Sequence, residues 1–212
     1  MPLRLWSLLK QSFVSFQIFS DLHLEVGQQY ASYEIPVCAD YLVLADKARQ
    51  LEQEPSLNRR LIVFHQKRFD VPGCDITILG CTLWSKVPSE LTDIVQSKVK
   101  DFQKIEGWSI NGHNASHESY LAWLLKDMQT RREKQSVLVV THHAPSLQRT
   151  SSPQHAKNPW SVAFGTDVLS QFADGVKESG VRVVSNQRGY VLPWSNSEAK
   201  DRFDVRKVIH VP

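Results

Sequence analysis

The sequence predicts an α/β fold, and three observations lead to this prediction. Short runs such as YLVLA, LIVF and VLVV are apolar at consecutive positions, as strands are when helices cover both faces of a sheet. Helical patterns separate these runs, and such alternation is typical of layered α/β domains. The chain has 212 residues and is 42% hydrophobic, which suits one domain with a substantial core. We therefore expect a single domain over residues 1–212.

The apolar runs and helical patterns give a coarse assignment of elements. The predicted strands are 13–20, 41–45, 61–64, 75–79, 136–141, 181–185 and 189–192. The predicted helices are 46–54, 91–106, 116–133 and roughly 167–172. The third helix is the clearest, because apolar residues between 121 and 128 repeat at helical spacing and Asn114 or Ser116 can cap its start.

Composition and charge argue against several classes of partner. The 25 basic and 22 acidic residues are interspersed, with a net charge of +3, so we expect no nucleic-acid partner. No run of about 18 apolar residues occurs, so we expect no membrane span. Lys10 interrupts the N-terminal apolar patch and no cleavage site follows. The three cysteines lack C-x-x-C spacing, which favours reduced thiols and a cytoplasmic location.

Two predicted strands end in residues that bind metal ions. The first ends in SDLHLE, where Asp21 and His23 offer a carboxylate and an imidazole to a divalent metal. Alternatively, Asp21 caps the next turn and His23 packs on a neighbour. The second ends in His142-His143, of which one can face a site while the other packs or contacts substrate. Alternatively, backbone carbonyls satisfy both. Ligands bind at the carboxyl ends of strands in open α/β sheets, so the two ends support each other.

Three further histidines give weaker signals. His113 and His117 lie in NGHNASHES near a predicted helix start, where a role near a phosphate is one reading. Turn formation and helix capping explain the surrounding residues without any function, and we favour that explanation. His155 lies in the polar loop TSSPQHAKNPW, where it is a candidate for substrate contact. No G-x-S-x-G, P-loop or G-x-G-x-x-G is present, so serine hydrolases and nucleotide-cofactor enzymes have no specific support.

The stretches FQIFSDLHLE, DYLVLA, ILGCTLWS, VLVVTHHAP and VVSNQRGY resemble the calcineurin-like metallophosphoesterases. The likeness covers about residues 16–211 and is closest to a fungal branch described as serine/threonine-phosphatase-like. The resemblance implies a layered α/β/β/α sandwich with a two-metal centre at the carboxyl ends of strands. There the metals polarise a phosphate and generate a bound hydroxide. By the family pattern, Asp21 and His23 match D-x-H, and His142 matches the lone strand-end histidine, with His143 as the alternative.

The remaining motifs of the family are missing from this chain. The pattern expects G-D after YLVLA, but Asp46 follows Ala45 there and opens a charged helical stretch. Neither G-N-H-[DE] nor G-H-x-H occurs. The stretch DKARQLEQEP resembles the family helix that follows the G-N-H loop, so the chain resembles a family member with two internal segments removed.

The resemblance therefore implies a metal-dependent phosphoesterase with impaired activity. We expect Asp21, His23 and His142 to bind at most one divalent ion, which by the family is Mn, Fe or Zn. His143 and His155 are further candidates for substrate or metal contact, and we assign no residue as catalytic. The substrate is a phosphate ester of unknown kind. Two alternatives remain: a non-catalytic binding module, or a mis-joined gene product of a longer active phosphoesterase.

Overall fold

The computed structural model describes residues 13–20, 28, 32–45, 64–148, 157–173, 181–188 and 203–212 of the chain. Strands in this part are β1 (Val14–Ser20), β2 (Tyr41–Ala45), β3 (Lys67–Asp70), β4 (Ile76–Cys81), β5 (Ser136–Thr141) and β6 (Val208–Val211). The α-helices are α1 (Thr92–Lys98), α2 (Asp101–Lys104), α3 (Ile110–Gln129) and α4 (Leu169–Ala173). Short 3-10 helices cover Ser89–Leu91 and Pro159–Ala163. This mixture confirms the predicted α/β class.

The strands form two three-stranded sheets, which we call sheet A and sheet B. Sheet A has the order β2-β1-β6, with β1 parallel to β2 and antiparallel to β6. Sheet B has the order β3-β4-β5, with β4 parallel to β5 and antiparallel to β3. The register of the parallel pairs brings Ser20 beside Ala45 and Cys81 beside Thr141. In each sheet, two strands therefore deliver their carboxyl ends to the same edge.

Strand β4 is buried along its whole length, and its two faces belong to different parts of the core. Ile76 and Ile78 join a buried cluster that includes Phe16 of sheet A. The alternate residues Leu79 and Cys81 join a second cluster with residues of α3 and α4. Successive side chains of a strand point to opposite faces, so sheet B contributes one face to each cluster. This burial explains why the run is apolar at nearly every position.

Close packing at β4 requires a glycine at position 80. A Cβ atom built on Gly80 would lie 2.2 Å from Cβ of Phe64, a distance at which one of the two residues must shift. The aromatic side chain of Phe64 packs against the cluster that joins the two sheets. The small residue at position 80 is therefore a requirement of sheet B.

Gln17 ties sheet A to two segments that are distant in sequence. Its side chain is 3% exposed, and Nε2 donates to the carbonyl oxygens of Pro36 at 2.9 Å and Val205 at 2.7 Å. Its Oε1 accepts a hydrogen bond from the amide of Cys38. A buried polar side chain costs free energy unless it is hydrogen-bonded, and here three partners satisfy Gln17.

Helix α3 begins at Ile110, earlier than the predicted start at residue 116. Ser109 caps it, since its side-chain oxygen accepts a hydrogen bond from the amide of Gly112 at 3.1 Å. Asn114 lies inside the helix and forms two hydrogen bonds with the backbone of Val87. The prediction that Asn114 or Ser116 caps the helix is therefore wrong. The helix ends at Gln129 rather than at residue 133.

The predicted helix 91–106 is two shorter helices, α1 and α2. Val99 between them has an extended backbone, with φ −92° and ψ 120°, and is 5% exposed. Its side chain joins a buried cluster with Val95 and Ile110, and this burial accompanies the break in the helix. The predicted helix at 167–172 overlaps α4, which spans Leu169–Ala173.

The strand predictions have a mixed outcome. The runs at 13–20, 41–45, 75–79 and 136–141 form β1, β2, β4 and β5. The prediction at 181–185 is wrong, because these residues form no strand, and Val181 and Val183 are about half exposed. Strands β3 and β6 were not predicted. The predictions at 46–54 and 189–192 lie outside the described residues, as does nearly all of 61–64.

No helix in the described ranges is long and apolar enough to cross a membrane. All three cysteines, Cys38, Cys74 and Cys81, are free thiols, as predicted. Burial raises the pKa of the Cys81 thiol to about 12, so this side chain remains protonated and behaves as a small apolar group.

Candidate functional site

His142 lies at the carboxyl end of β5 and its side chain is exposed. Strand β5 pairs in parallel with β4, so the histidine emerges where two strand ends meet. The other predicted site residues, Asp21, His23 and His155, lie outside the described residues. Strand β1 ends at Ser20, directly before Asp21 in the sequence. Of the predicted metal ligands, the structure thus describes only His142.

His143 has the opposite environment from its neighbour. Its side chain is 5% exposed, and its backbone amide donates to the carbonyl oxygen of Thr82 at 3.0 Å. Its ring lies 5.1 Å from that of Trp84 between centroids. Burial lowers the pKa of His143 well below its ordinary value, and the nearby imidazoles act in the same direction. The adjacent imidazoles thus differ as predicted, with His142 exposed and His143 packed.

His113 extends from α3 toward His143 and is also buried, with 2% of its surface exposed. Its Nε2 shares a 2.9 Å hydrogen bond with Oγ of Ser85. The rings of His113 and His143 lie 5.7 Å apart between centroids. Burial lowers the pKa of His113 to about 4, while the negative charge of Asp101 opposes this shift. The imidazole of His113 is therefore neutral at pH 7.

Aromatic rings enclose His113. Trp84, Phe102 and Trp108 lie at centroid distances of 5.2, 5.4 and 5.9 Å from its ring. The two tryptophans also contact each other at 4.6 Å. We call His113, His143 and these three rings the histidine–aromatic cluster. Apolar walls of this kind remove imidazoles from water, which is the physical cause of the lowered pKa values.

A strained turn supplies one wall of the cluster. Leu83 and Trp84 have φ values of 66° and 51°, and consecutive non-glycine residues in the left-handed region are uncommon. His117 lies beside the turn, with its Nδ1 atom 3.3 Å from the carbonyl oxygens of both residues. The buried imidazole of His117 therefore contacts the carbonyl oxygens of both Leu83 and Trp84 in this turn.

The sequence did not predict the places of His113 and His117. Both lie on the buried face of α3, together with Tyr120, Leu121 and Leu124, and His113 is the fourth residue of the helix. The spacing of four residues between His113, His117 and Leu121 is the signal for a shared helix face. This signal was missed because the predicted helix began at residue 116 and left His113 outside it.

Several buried polar atoms in the histidine–aromatic cluster have no hydrogen-bond partner. They are Nδ1 of His113, Nδ1 of His143 and Nε1 of Trp108. Buried polar atoms without partners are rare in folded proteins. Both orphaned imidazole nitrogens belong to rings that remain neutral at pH 7, so either can act as donor or acceptor according to its tautomer.

The backbone of residues 187 and 188 pairs with the carboxyl end of β1. The Arg188 amide donates to the carbonyl oxygen of Ser20 at 3.1 Å, and the adjacent residue Gln187 forms a parallel bridge with Ser20. The guanidinium carbon of Arg188 lies 4.6 Å from the centroid of the Tyr33 ring. The Tyr33 hydroxyl oxygen is buried and has no hydrogen-bond partner. The guanidinium of Arg188 thus packs on the Tyr33 ring, while the Arg188 backbone pairs with the end of β1.

Asn186 fixes this segment against sheet A. It is 5% exposed, and its Nδ2 donates to the carbonyl oxygens of Ile18 at 2.6 Å and Asp204 at 2.8 Å. Its Oδ1 accepts from the amide of Asp204 at 3.0 Å. Because every polar atom of this amide side chain has a partner, residues 186–188 are held at a defined position along β1.

Within the described ranges, no group of three or more His, Cys, Asp or Glu side chains is arranged to hold a metal ion. His142 fits the role of one ligand, because it is exposed at a strand end and imidazole nitrogen suits Mn, Fe and Zn. His143 is buried among rings, and its orphaned Nδ1 faces a predominantly apolar environment.

Comparison with known proteins returned no match, whether against protein-family models, curated proteins or solved structures.

Proposed function

We propose that the chain is a calcineurin-like metallophosphoesterase domain with strongly reduced activity toward a phosphate ester. The observation that carries the proposal is the exposed position of His142 at the carboxyl end of β5. Strand β5 runs parallel to its neighbour β4. The position agrees with that of the lone strand-end histidine in the family pattern. Asp21, which follows the last residue of β1, and His23 complete the proposed ligand set.

The arrangement of the two sheets supports the same proposal. Residues of sheet A and sheet B share one buried cluster, and helix α3 packs on the other face of sheet B. We propose that these are the inner β/β layers and one outer helical layer of an α/β/β/α sandwich. The second helical layer would cover the outer face of sheet A, where Leu42 is 50% exposed.

The proposed ligands limit the chemistry. In the family pattern, residues at the positions of Asp21, His23 and His142 bind two metal ions, which the aspartate of G-D bridges. That aspartate is missing from this chain. Catalytic metal sites of the zinc type use three protein ligands and an open position. We therefore propose that these residues hold at most one divalent ion. When bound, the ion would polarise a phosphate oxygen.

In the family pattern, the histidine of G-N-H serves as the general acid, and no G-N-H occurs in this sequence. A positioned general acid typically contributes about 10²–10⁴-fold to a rate. The ring of His143 lies 5.4 Å from that of His142, and the ring of His113 lies 5.7 Å from that of His143. The lowered pKa values of His113 and His143 leave them unprotonated at pH 7, so neither can donate a proton as an imidazolium. The reduced activity follows from both losses.

A phosphatase assay tests this proposal. The purified chain is given an aryl phosphate and manganese, and its rate is compared with that of Asp21→Ala. We expect no difference between the two rates. A clear manganese-dependent rate that Asp21→Ala abolishes would overturn the proposed reduction and support a competent phosphoesterase.

The cellular setting is part of the proposal. The free thiols of Cys38, Cys74 and Cys81 suit a reducing compartment, and we propose the cytoplasm. The mixed charge pattern gives no feature that would bind nucleic acid. Transcript sequencing tests the alternative of a longer enzyme: a transcript that encodes G-N-H and G-H-x-H between the present segments would support it.

A further inference from the structure

We propose that the outer edge of β5, the edge that faces away from β4, pairs with the same edge of a second copy of this chain. The two β5 strands would run antiparallel and join two copies of sheet B into one continuous sheet. Strand β5 lies at the end of the order β3-β4-β5, and β4 is its only strand partner in the described ranges. This inference does not depend on the proposed phosphoesterase activity, because it concerns backbone pairing.

Alternate residues of β5 direct their backbone groups to the outer edge. The amide of Ser136 donates to the carbonyl oxygen of Asp75 at 2.9 Å, so Ser136 faces β4. The N–H and C=O groups of successive residues in a strand point to opposite edges. Those of Val137, Val139 and Thr141 therefore face outward, and among the described residues none of them forms a backbone hydrogen bond across this edge.

The exposure of β5 has the same cause. Val137 and Val139 pack against the cluster that includes residues of α3. Leu138 and Val140 pack against the cluster shared with sheet A, so both faces of β5 are covered, as in β4. Nevertheless every residue of β5 is only partly buried, whereas every residue of β4 is buried. The difference lies at the outer edge, because β4 has a strand on each side.

The two edge strands of sheet B differ in charge. Strand β3 carries Lys67, Arg68 and Asp70, and charged side chains on an edge strand oppose pairing with another chain. Strand β5 has the sequence SVLVVT, without a charged residue or a proline, and most of its residues favour strands. An uncharged strand meets its own copy without repulsion, so β5 is the edge of sheet B that favours self-pairing.

The outward-facing residues fix the register of the proposed pair. In an antiparallel pair, opposite residues whose backbone groups face each other exchange both hydrogen bonds. Val139 would therefore lie opposite Val139 of the second copy, and Val137 opposite Thr141. Every outward N–H and C=O group of these residues then has a partner. The same surface serves in both copies, so the contact closes as a two-fold dimer.

The length of the unpaired edge fits a second β5. Beyond the strand, the amide of His143 donates to the carbonyl oxygen of Thr82, on the side of β4, and the amide of Ala144 donates to that of Phe164. The chain itself thus occupies the outer edge at Ala144. In the proposed register, β5 of the second copy begins at Ser136 and would stop before Ala144, so the two strands pair without displacing this segment.

Sedimentation equilibrium of the full chain over a range of concentrations tests for the dimer. One short strand pair buries little surface, and small interfaces are typical of transient complexes. We therefore expect reversible association, with a dissociation constant on the order of micromolar.

Amide hydrogen exchange at single-residue resolution locates the contact. When about nine-tenths of the chains are paired, exchange at the outer edge proceeds from the remaining monomer. The amides of Val137, Val139 and Thr141 should then exchange about tenfold more slowly than after dilution. The amides of Leu138 and Val140 face β4 and should be protected equally at both concentrations, so they are internal controls.

A proline variant tests the role of the outward amides. Val139→Pro removes one outward N–H and leaves the amides that face β4 unchanged, so we expect it to remain monomeric where the unchanged chain dimerises. Val183→Pro is the matched control, because Val183 is 48% exposed and lies in no strand, and it should dimerise normally. Circular dichroism verifies that both variants are folded. If Val139→Pro does not fold, hydrogen exchange in the unchanged chain decides the question.

Each of three results would overturn the inference. The chain could sediment as a monomer at all concentrations up to several hundred micromolar. A dimer could form while the outward amides of β5 exchange equally fast at high and low concentration, which would place the contact on another surface. These amides could also be protected in the monomer, which would mean that another part of the same chain covers the edge.

Discussion

Oγ of Ser85 and Nε2 of His113 lie 2.9 Å apart, and both residues are almost completely withdrawn from solvent, at 0% and 2% exposure. The loop after β4 supplies one partner and helix α3 supplies the other. A buried hydrogen bond between two elements holds them in register, and its loss leaves a polar atom unpaired in an apolar environment.

Ser85→Ala should therefore destabilise the fold. The alanine would leave Nε2 of His113 without a partner, and an unsatisfied buried polar group costs about 1–3 kcal/mol. Urea unfolding measures the change in the free energy of unfolding. Ser89→Ala is the control, since Ser89 is exposed and its hydroxyl donates to the carboxylate of the neighbouring Glu90. Equal stabilities of the two variants would contradict the prediction.

Stability should fall as the pH decreases from about 6.5 to 4. The unfolded chain binds a proton at His113 near the ordinary pKa of 6.5, whereas burial lowers the pKa to about 4 in the fold. Between these values the unfolded chain holds more protons, so acid favours unfolding, and the stabilisation is fully present above pH 6.5.

Unfolding midpoints in urea at pH 7.5, 6 and 5, measured in chelator, give the slope for this second prediction. His113→Gln should reduce the slope, and part of the dependence should remain because burial also lowers the pKa of His143. His210→Gln serves as control, since His210 on β6 is exposed. An unchanged slope in His113→Gln would assign the pH dependence to other groups.

Two glycine substitutions should have opposite effects. Gly80→Ala brings a Cβ atom into Phe64 and should destabilise by roughly 1–3 kcal/mol, as overpacking does. Gly112→Ala lies in α3, where the new Cβ meets only Oγ of Ser109 at 3.4 Å. It should stabilise by about 0.5–1 kcal/mol through the higher helix propensity of alanine. Thermal unfolding measures the stability of both variants. Destabilisation of equal size in Gly80→Ala and Gly112→Ala would contradict the predicted opposite effects.

Metal titration should reveal weak binding of at most one divalent ion per chain. Calorimetry with manganese or zinc measures the stoichiometry, and His142→Ala should abolish the binding because few ligands remain in the proposed set. His210→Ala removes an exposed histidine of β6 and should leave metal binding unchanged. Tight binding of two ions would mean that further residues, such as His143, His155 or Asp46, complete the centre.

The fold class and four strands were predictable because their runs are mostly apolar and the fold buries them wholly or in part. Strand β4 is buried at all six positions, and such a run has no other stable environment in water. Strand β3 was missed because its sequence, KRFD, is mostly charged and its ends are exposed. It pairs along one edge with β4, and a charged edge strand has no apolar signal.

The candidate site was predictable only in part. The strand-end position of His142 was predictable from the apolar run before it. Adjacent residues after a strand point in different directions, so the different environments of His142 and His143 were predictable too. The placement of His113 beside His143 depends on how α3 packs against the loop after β4. The two histidines are distant in sequence and share no local pattern. The same holds for Arg188 and Tyr33, which are distant in sequence although the guanidinium lies over the ring.

The hydrogen bonds of Gln17 set an order for events during protein synthesis. Its amide bonds the carbonyl of Val205, which is 188 residues later in the chain, and β1 also pairs with β6. At about 5–20 residues per second, the ribosome needs roughly 10–40 s to supply that partner. Until then Phe16 and its apolar neighbours cannot be covered from that side, so we expect chaperones that bind extended apolar segments to retain the nascent chain at β1.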